Sequence, residues 1–156
     1  MKDPLKLVAS IVGCELVGII STPLTLTAIS TWYVTLHKPV FSPPNWVFGP
    51  VWTLLYFLMG MSFYLIWIQD WKKKKVRTAG RYFLVQLAFN FAWSPIFFGF
   101  RSPLLGFVTI LGMWLLIIVS MIKFYALSKP AFYLLVPYLL WVSFASVLNA
   151  AILILN

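Results

Sequence analysis

The sequence predicts an all-α integral membrane protein, a bundle of five transmembrane helices. Of its 156 residues, 62% are hydrophobic and only 10% are charged, and the mean hydropathy is +0.95. A water-soluble domain of this length needs more polar surface, so most of the exterior faces lipid. The apolar runs are unbroken, whereas the strands of a membrane barrel alternate apolar and polar residues, which disfavours a barrel.

The first predicted helix covers residues 7–29 and contains one charged residue, Glu15. The alternative is a signal peptide, for which Lys2 and Lys6 would form the basic start. The apolar segment of a signal peptide has only about 7 to 15 residues, and Glu15 lies in the middle of this longer run. A transmembrane helix is therefore favoured.

Four further helices are predicted from apolar runs that contain no Asp, Glu, Lys or Arg: residues 47–68, 82–100, 104–122 and 131–155. Each is close to the roughly 20 residues that cross a bilayer. Three of the four connections are short, which predicts that consecutive helices are antiparallel neighbours. The whole chain, residues 1–156, is then one transmembrane domain, and only the first connection is long.

The net charge of +9 raises the question of a nucleic-acid partner. If the helices alternate in direction, ten of the twelve basic residues fall on one side: Lys2, Lys6, the six between residues 72 and 81, Lys123 and Lys129. Only Lys38 and Arg101 fall on the other. This bias predicts that the N-terminus and residues 69–81 are cytoplasmic, and it favours a membrane anchor over a nucleic-acid role.

Conventional catalytic and metal-binding groups are scarce. The chain has one histidine, His37, and one cysteine, Cys14, so neither a metal site nor a Ser/His/Asp arrangement is predicted. Glu15 is the one residue within the predicted helices that is charged at neutral pH in water. It has either a functional role or a hydrogen bond to another helix, because a charge inside a membrane is costly.

Aromatic residues make up 19% of the chain and include eight tryptophans. Four lie at helix edges, as is typical of interfacial belts: Trp32, Trp46, Trp67 and Trp71. Four lie inside helices, where core packing is the alternative to a binding role: Trp52, Trp93, Trp114 and Trp141. Three of these share a helical face with polar, small or aromatic residues: Trp52 with Phe48 and Tyr56, Trp93 with Asn90, and Trp141 with Ala145 and Leu148. Converging faces of this kind predict a cavity for a flat, mostly apolar ligand.

Residues 30–46 form a proline-rich loop that is predicted to cover the cavity as a lid. Proline fixes the backbone in an extended path, which a flexible linker does not need. Tyr33 and Pro43 are its candidate contacts with a ligand.

Motifs along nearly the whole chain resemble the translocator protein family, also called tryptophan-rich sensory proteins or peripheral-type benzodiazepine receptors. They are Trp32-Tyr33, Lys38-Pro39-x-Phe41-x-Pro43-Pro44-x-Trp46, Trp52-Thr53-x-Leu55-Tyr56-x-x-Met59-Gly60, Gln86-Leu87-Ala88-x-Asn90-x-x-Trp93-x-Pro95-Ile96-Phe97-Phe98-Gly99 and Pro137-Tyr138-Leu139-x-Trp141-x-x-Phe144-Ala145-x-x-Leu148-Asn149.

The resemblance implies a dimeric five-helix receptor or sensor that binds porphyrins such as protoporphyrin IX, sterols in animal members, and isoquinoline-type drugs. No other cofactor is implied. The matching ligand-binding residues are Tyr33, Pro43, Phe48, Trp52, Tyr56, Asn90, Trp93, Trp141, Ala145 and Leu148. In some bacterial members the tryptophans matching Trp52 and Trp141 are linked to light-dependent porphyrin breakdown, so an enzyme is the alternative function. Transport ranks third, because no internal repeat is visible.

Animal members end the fifth helix with an aliphatic residue, a Tyr and a basic residue, a pattern proposed to recognise cholesterol. Residues 149–156 contain no Tyr, Lys or Arg, which lowers the expectation of sterol binding and favours a bacterial-type member in a cell membrane. A homodimer through the third helix is expected from Ala88 and Ala92, which lie about 150° from Asn90 and Trp93 at 100° per residue. Packing of the two alanines within one monomer is the alternative.

Overall fold

The computed structural model describes residues 3–156, and within them it contains five long helices and no strand. The helices are α1 (Pro4–Thr31), α2 (Asn45–Trp67), α3 (Lys74–Ser94), α4 (Pro103–Tyr125) and α5 (Lys129–Leu155). A short 3-10 helix, Tyr33–Thr35, follows α1, and a π-helical turn, Pro95–Gly99, continues α3. All five helices are long and apolar enough to cross a membrane. The chain is a multi-pass integral membrane protein.

Side-chain caps explain where three helices begin. Asp3, Ser102 and Ser128 accept hydrogen bonds from backbone amides three residues later, at 3.2, 3.2 and 3.4 Å. A proline lies in the first turn of each of these helices, where its missing amide hydrogen costs nothing. These caps place the helix starts one to three residues before the predicted apolar runs.

The start of α3 differs most from the prediction. The helix begins at Lys74 rather than at residue 82, so most of the basic stretch 69–81 is helical and the connection is only residues 68–73. Hydropathy follows the apolar core of the membrane, whereas lysine and arginine are good helix formers and prolong a helix into the headgroup layer. Lys2, counted above among the basic residues, lies outside the described residues.

The order of the helices around the bundle is α1, α2, α5, α4, α3. The expected neighbours α3–α4 and α4–α5 are present, but α2 packs chiefly against α1 and α5 and touches α3 only lightly. One reason is a buried hydrogen bond of 2.7 Å from the Ser62 hydroxyl on α2 to the Ala131 carbonyl on α5. Because α5 lies beside α2, space remains between α1, α2, α3 and α5.

α1 and α2 approach closely at one end of this space. Gly60 on α2 is buried, and a Cβ placed on it would lie 2.5 Å from the Ile11 Cα on α1. Lipid provides no hydrophobic force that drives helices together, so they associate through close packing. A residue as small as Gly60 allows the two backbones to approach closely enough for it.

Candidate ligand-binding cavity

A cavity of about 300 Å³ lies between α1, α2, α3 with its π-helical turn, and α5. Its volume is at the lower end of small-molecule sites. Nine of the ten residues selected from the sequence line this cavity: Tyr33, Phe48, Trp52, Tyr56, Asn90, Trp93, Trp141, Ala145 and Leu148. Pro43 does not.

One wall is built from aromatic rings of α2 and α5. The rings of Phe48 and Trp141 are 6.0 Å apart at 72°, and those of Trp52 and Tyr56 are 5.5 Å apart. Four-residue spacing along α2 places its three rings on one helical face, as the sequence predicts. The wall presents ring faces and edges that can stack on a flat ligand.

A second aromatic group lies at the π-helical turn. Trp93 stacks on Phe97 with centroids 4.9 Å apart, and Phe97 and Phe98 pack edge to face at the same distance. Tyr33 closes this group, 6.3 Å from Phe97. Pro95 cannot donate a backbone hydrogen bond, and the wider turn that follows it directs both phenylalanines to the cavity.

A chain of hydrogen bonds runs from the cavity into the buried core. The Tyr56 hydroxyl donates to Asn90 Oδ1 at 2.6 Å, Asn90 Nδ2 donates to the Tyr138 hydroxyl at 2.9 Å, and that hydroxyl donates to Gln86 Oε1 at 2.8 Å. The expectation that Asn90 faces a ligand therefore needs refinement. Asn90 lines the cavity, but its amide also orients two tyrosines.

The indole N–H of Trp141 is buried and has no hydrogen-bond partner among residues 3–156. Trp93, in contrast, donates to Asn149 Oδ1 at 3.3 Å, and Trp114 donates to the Ser143 hydroxyl at 2.8 Å. Trp114 packs between α4 and α5, away from the cavity. Its role is therefore core packing, the alternative to ligand binding for the tryptophans inside helices. An unpartnered buried donor is costly, so the Trp141 ring is held in place by packing without the hydrogen bond that Trp93 and Trp114 each make.

The predicted lid corresponds to the structure only in part. Of the predicted lid, residues 30–46, Tyr33 and Asn45 line the cavity, and Asn45 is already the first residue of α2. The rest of the loop lies across the end of the bundle, where Phe41 contacts Phe144 and the backbone of His37 pairs with the Asn156 side chain. These contacts hold the loop on α5, which is why Pro43 does not reach the cavity.

The cavity reaches the outer surface between α1 and α2. Six of its lining residues on these two helices are exposed: Ile19, Thr22, Leu26, Asn45, Gly49 and Thr53. The helices touch at Gly60, whereas a Cβ on Gly49 would meet no atom within 4 Å. A ligand dissolved in the bilayer therefore has a lateral path to the aromatic wall.

The wall formed by α1 was not predicted, apart from the unassigned Glu15. It contributes Glu15, Gly18 and Thr25, and the Thr25 and Ser94 hydroxyls are hydrogen-bonded at 2.7 Å. The Glu15 side chain forms no hydrogen bond to another helix within residues 3–156. Phe97, Phe98 and Asn149 also line the cavity but were not selected from the sequence. The family motifs contain all three, so the motifs were the signal that could have identified them.

Ala88 and Ala92 lie away from the cavity. Ala88 is exposed on the outside of the bundle and Ala92 is half-buried. Ala88 therefore does not pack inside the monomer, so this position faces either lipid or a second copy of the chain.

Comparison with known proteins gives consistent matches. The model of the TspO/MBR family matches residues 10–155. The tryptophan-rich protein TspO of Archaeoglobus fulgidus is 45% identical over 153 residues, which cover 97% of each chain. The translocator protein of Homo sapiens is 42% identical over 120 residues, covering 76% of this chain and 70% of the relative. The tryptophan-rich sensory protein of Cereibacter sphaeroides is 36% identical over 128 residues, covering 80% and 77%.

Proposed function

The chain belongs to the TspO/MBR family of membrane receptor and sensor proteins, and we propose that it binds tetrapyrroles such as protoporphyrin IX in its aromatic cavity. Isoquinoline-type hydrophobic molecules are the second ligand class, and no other cofactor is required. The observation that carries the proposal is that nine of the ten residues selected from the sequence line one cavity.

The size and shape of the cavity suit part of a tetrapyrrole rather than all of it. A macrocycle stacks on Trp52, Phe48 and Trp141 and extends through the gap between α1 and α2. Lys38 Nζ lies 4.4 Å from the centroid of the Tyr33 ring, at the loop end of the cavity. An ammonium group there can pair with a propionate, which would keep the ligand's charges out of the apolar interior.

A titration tests this proposal. Protoporphyrin IX is added in the dark to the protein in detergent, and tryptophan fluorescence is recorded. We expect saturable quenching with one ligand per chain, reversed by an isoquinoline competitor. Micelles that contain a free tryptophan analogue and no protein are the control. If quenching of the protein rises without saturation, as in these micelles, the porphyrin only partitions into detergent and the proposal is rejected.

A second function, light-dependent porphyrin degradation, is favoured by the two cavity tryptophans Trp52 and Trp141. Within residues 3–156 no hydrogen bond uses the Trp52 indole, so Trp52→Phe keeps an aromatic wall and loses only the oxidisable ring system. We expect dark binding to survive in this variant while porphyrin loss under light and air becomes slower. Absorbance spectra measure both. Porphyrin loss at the wild-type rate would remove Trp52 from the proposed chemistry.

We also propose a homodimer through the outer face of α3. Replacing Ala88 and Ala92 together by leucine should prevent close approach of two α3 helices and convert dimers to monomers in mild detergent. Porphyrin binding should persist, because Asn90 and Trp93 face the cavity on the other side. Light scattering gives the mass, and Val147→Leu on exposed α5 surface is the matched control. A dimer that persists in the double variant would place the interface elsewhere.

For localisation we propose a bacterial-type cell membrane with the N-terminus and residues 69–81 on the cytoplasmic side. The support is the position of the basic residues. The helical extension of α3 carries Lys74, Lys75, Arg77 and Arg81, and the ends of α4 and α5 add Lys123 and Lys129.

A further inference from the structure

The end of the cavity near the middle of α1 contains a carboxyl group without a partner. Glu15 is half-buried and is the one charged residue among the described residues that line the cavity. Within residues 3–156, no ion pair and no hydrogen bond involves its side chain. A carboxylate in a low-dielectric site is costly unless a donor or a cation faces it.

The Tyr56 ring lies against α1 one helical turn from Glu15. Gly18, one turn after Glu15, leaves room for the Tyr56 ring, because a Cβ on Gly18 would lie 2.5 Å from the ring's Cε2 atom. The ring therefore packs against α1, and both side chains line the cavity. Glycine at this position is what lets the tyrosine ring lie against α1 one helical turn from Glu15.

The direction of the hydrogen-bond chain determines what Tyr56 can offer a ligand. Each hydroxyl or amide donates away from the cavity, from Tyr56 to Asn90, from Asn90 to Tyr138, and from Tyr138 to Gln86. The single Tyr56 hydroxyl proton is used in the first of these bonds. Towards the cavity the Tyr56 oxygen can only accept, as can an ionised Glu15.

We propose that this end of the cavity selects a flat aromatic ligand that carries a protonated amine or another N–H donor, held by Glu15 and the Tyr56 oxygen. The proposal rests on the binding role of the cavity and not on tetrapyrroles being the ligand. A cation supplies the partner that the carboxyl group lacks, whereas an anionic group at the same position is repelled. The propionates of a tetrapyrrole must therefore point the other way, towards Lys38.

Three acridines of similar shape test the proposal at pH 7: 9-aminoacridine, a cation, acridine, which is neutral, and acridine-9-carboxylate, an anion. Equilibrium dialysis against the protein in a neutral detergent, corrected with protein-free micelles, gives each affinity. We expect the cation to bind at least about tenfold more tightly than acridine, as a charge-assisted hydrogen bond implies, and the anion to bind most weakly.

Variants assign the preference to a residue. Glu15→Gln should bring the ratio of cation to neutral affinity close to one, while acridine binding changes little. Glu15→Asp keeps the carboxyl group and should keep a preference. Asp70→Asn is the matched control, because Asp70 is an exposed carboxylate in the connection before α3. A wild-type protein without preference, or a preference that persists in Glu15→Gln, would overturn the proposal.

The wild-type protein allows a second measurement that does not depend on a variant folding. Glu15 is the only glutamate in the sequence, so cell-free synthesis with glutamate labelled with ¹³C at the side-chain carboxyl gives one carboxyl resonance. This resonance should move along the 9-aminoacridine binding curve and stay in place with acridine. A resonance unaffected by bound 9-aminoacridine would overturn the proposal. Loss of protoporphyrin binding alone would instead reject the tetrapyrrole ligand and leave the amine preference intact.

Discussion

Replacing Gly60 by alanine is expected to destabilise the bundle by about 1 to 3 kcal/mol, as overpacking of a tight contact does. The new Cβ would lie 2.5 Å from the Ile11 Cα, 2.9 Å from the Ile11 nitrogen and 3.0 Å from the Ser10 carbonyl oxygen. These are backbone atoms, so no side-chain rotation relieves the clash and α1 must move away. The gain in helix propensity is at most about 1 kcal/mol and does not offset the clash.

Gly13→Ala is the matched control, since a Cβ on Gly13 meets no atom within 4 Å. It should leave the thermal midpoint unchanged or raise it slightly, because alanine is the better helix former. Circular dichroism during heating in one detergent compares the two variants. Equal midpoints for Gly60→Ala and Gly13→Ala would contradict the close contact of α1 with α2.

The double variant Asn90→Ala with Trp141→Ala should weaken protoporphyrin IX binding by about 1 to 3 kcal/mol, which is roughly 5-fold to 150-fold in Kd. Trp141→Ala removes a stacking surface from the cavity wall. Asn90 acts through the two tyrosines that it orients, at 2.6 and 2.9 Å.

The control for this loss is Trp67→Ala, which removes an equally large ring at the end of α2 away from the cavity. Trp141→Phe then separates the contribution of the N–H from that of the ring. Gel filtration identifies folded variants, and the dark titration described above measures Kd. An unchanged affinity in a folded double variant would remove both residues from the site.

The number of helices and most of the aromatic wall could be predicted from the sequence, for a shared reason. A membrane helix is recognised by unbroken apolarity, and large rings at four-residue spacing, such as Phe48, Trp52 and Tyr56, mark one helical face. Both signals are local in the chain. The start of α3 at Lys74 was missed because hydropathy reports the apolar layer and not the helix.

The remaining differences depend on which helices pack together, and no local pattern reports that. The position of α5 beside α2 follows from contacts such as Ser62 to Ala131, which join residues far apart in the chain. Apart from Glu15, the α1 wall consists of glycine, serine, threonine and aliphatic residues, which look like any lipid-facing surface. Pro43 was expected in the cavity but does not line it. The path of the loop is fixed by its contacts with Phe144 and Asn156 on α5, which the local sequence does not report.

The central claim, that a tetrapyrrole binds in this cavity, is tested most directly by locating one. Zinc protoporphyrin IX carries a single anomalous scatterer, and a crystal of its complex with the protein gives the zinc position. We expect one peak bordered by Phe48, Trp52 and Trp141, near the opening between α1 and α2. A peak on the lipid-facing surface of α3, α4 or α5, with the cavity unchanged, would contradict it.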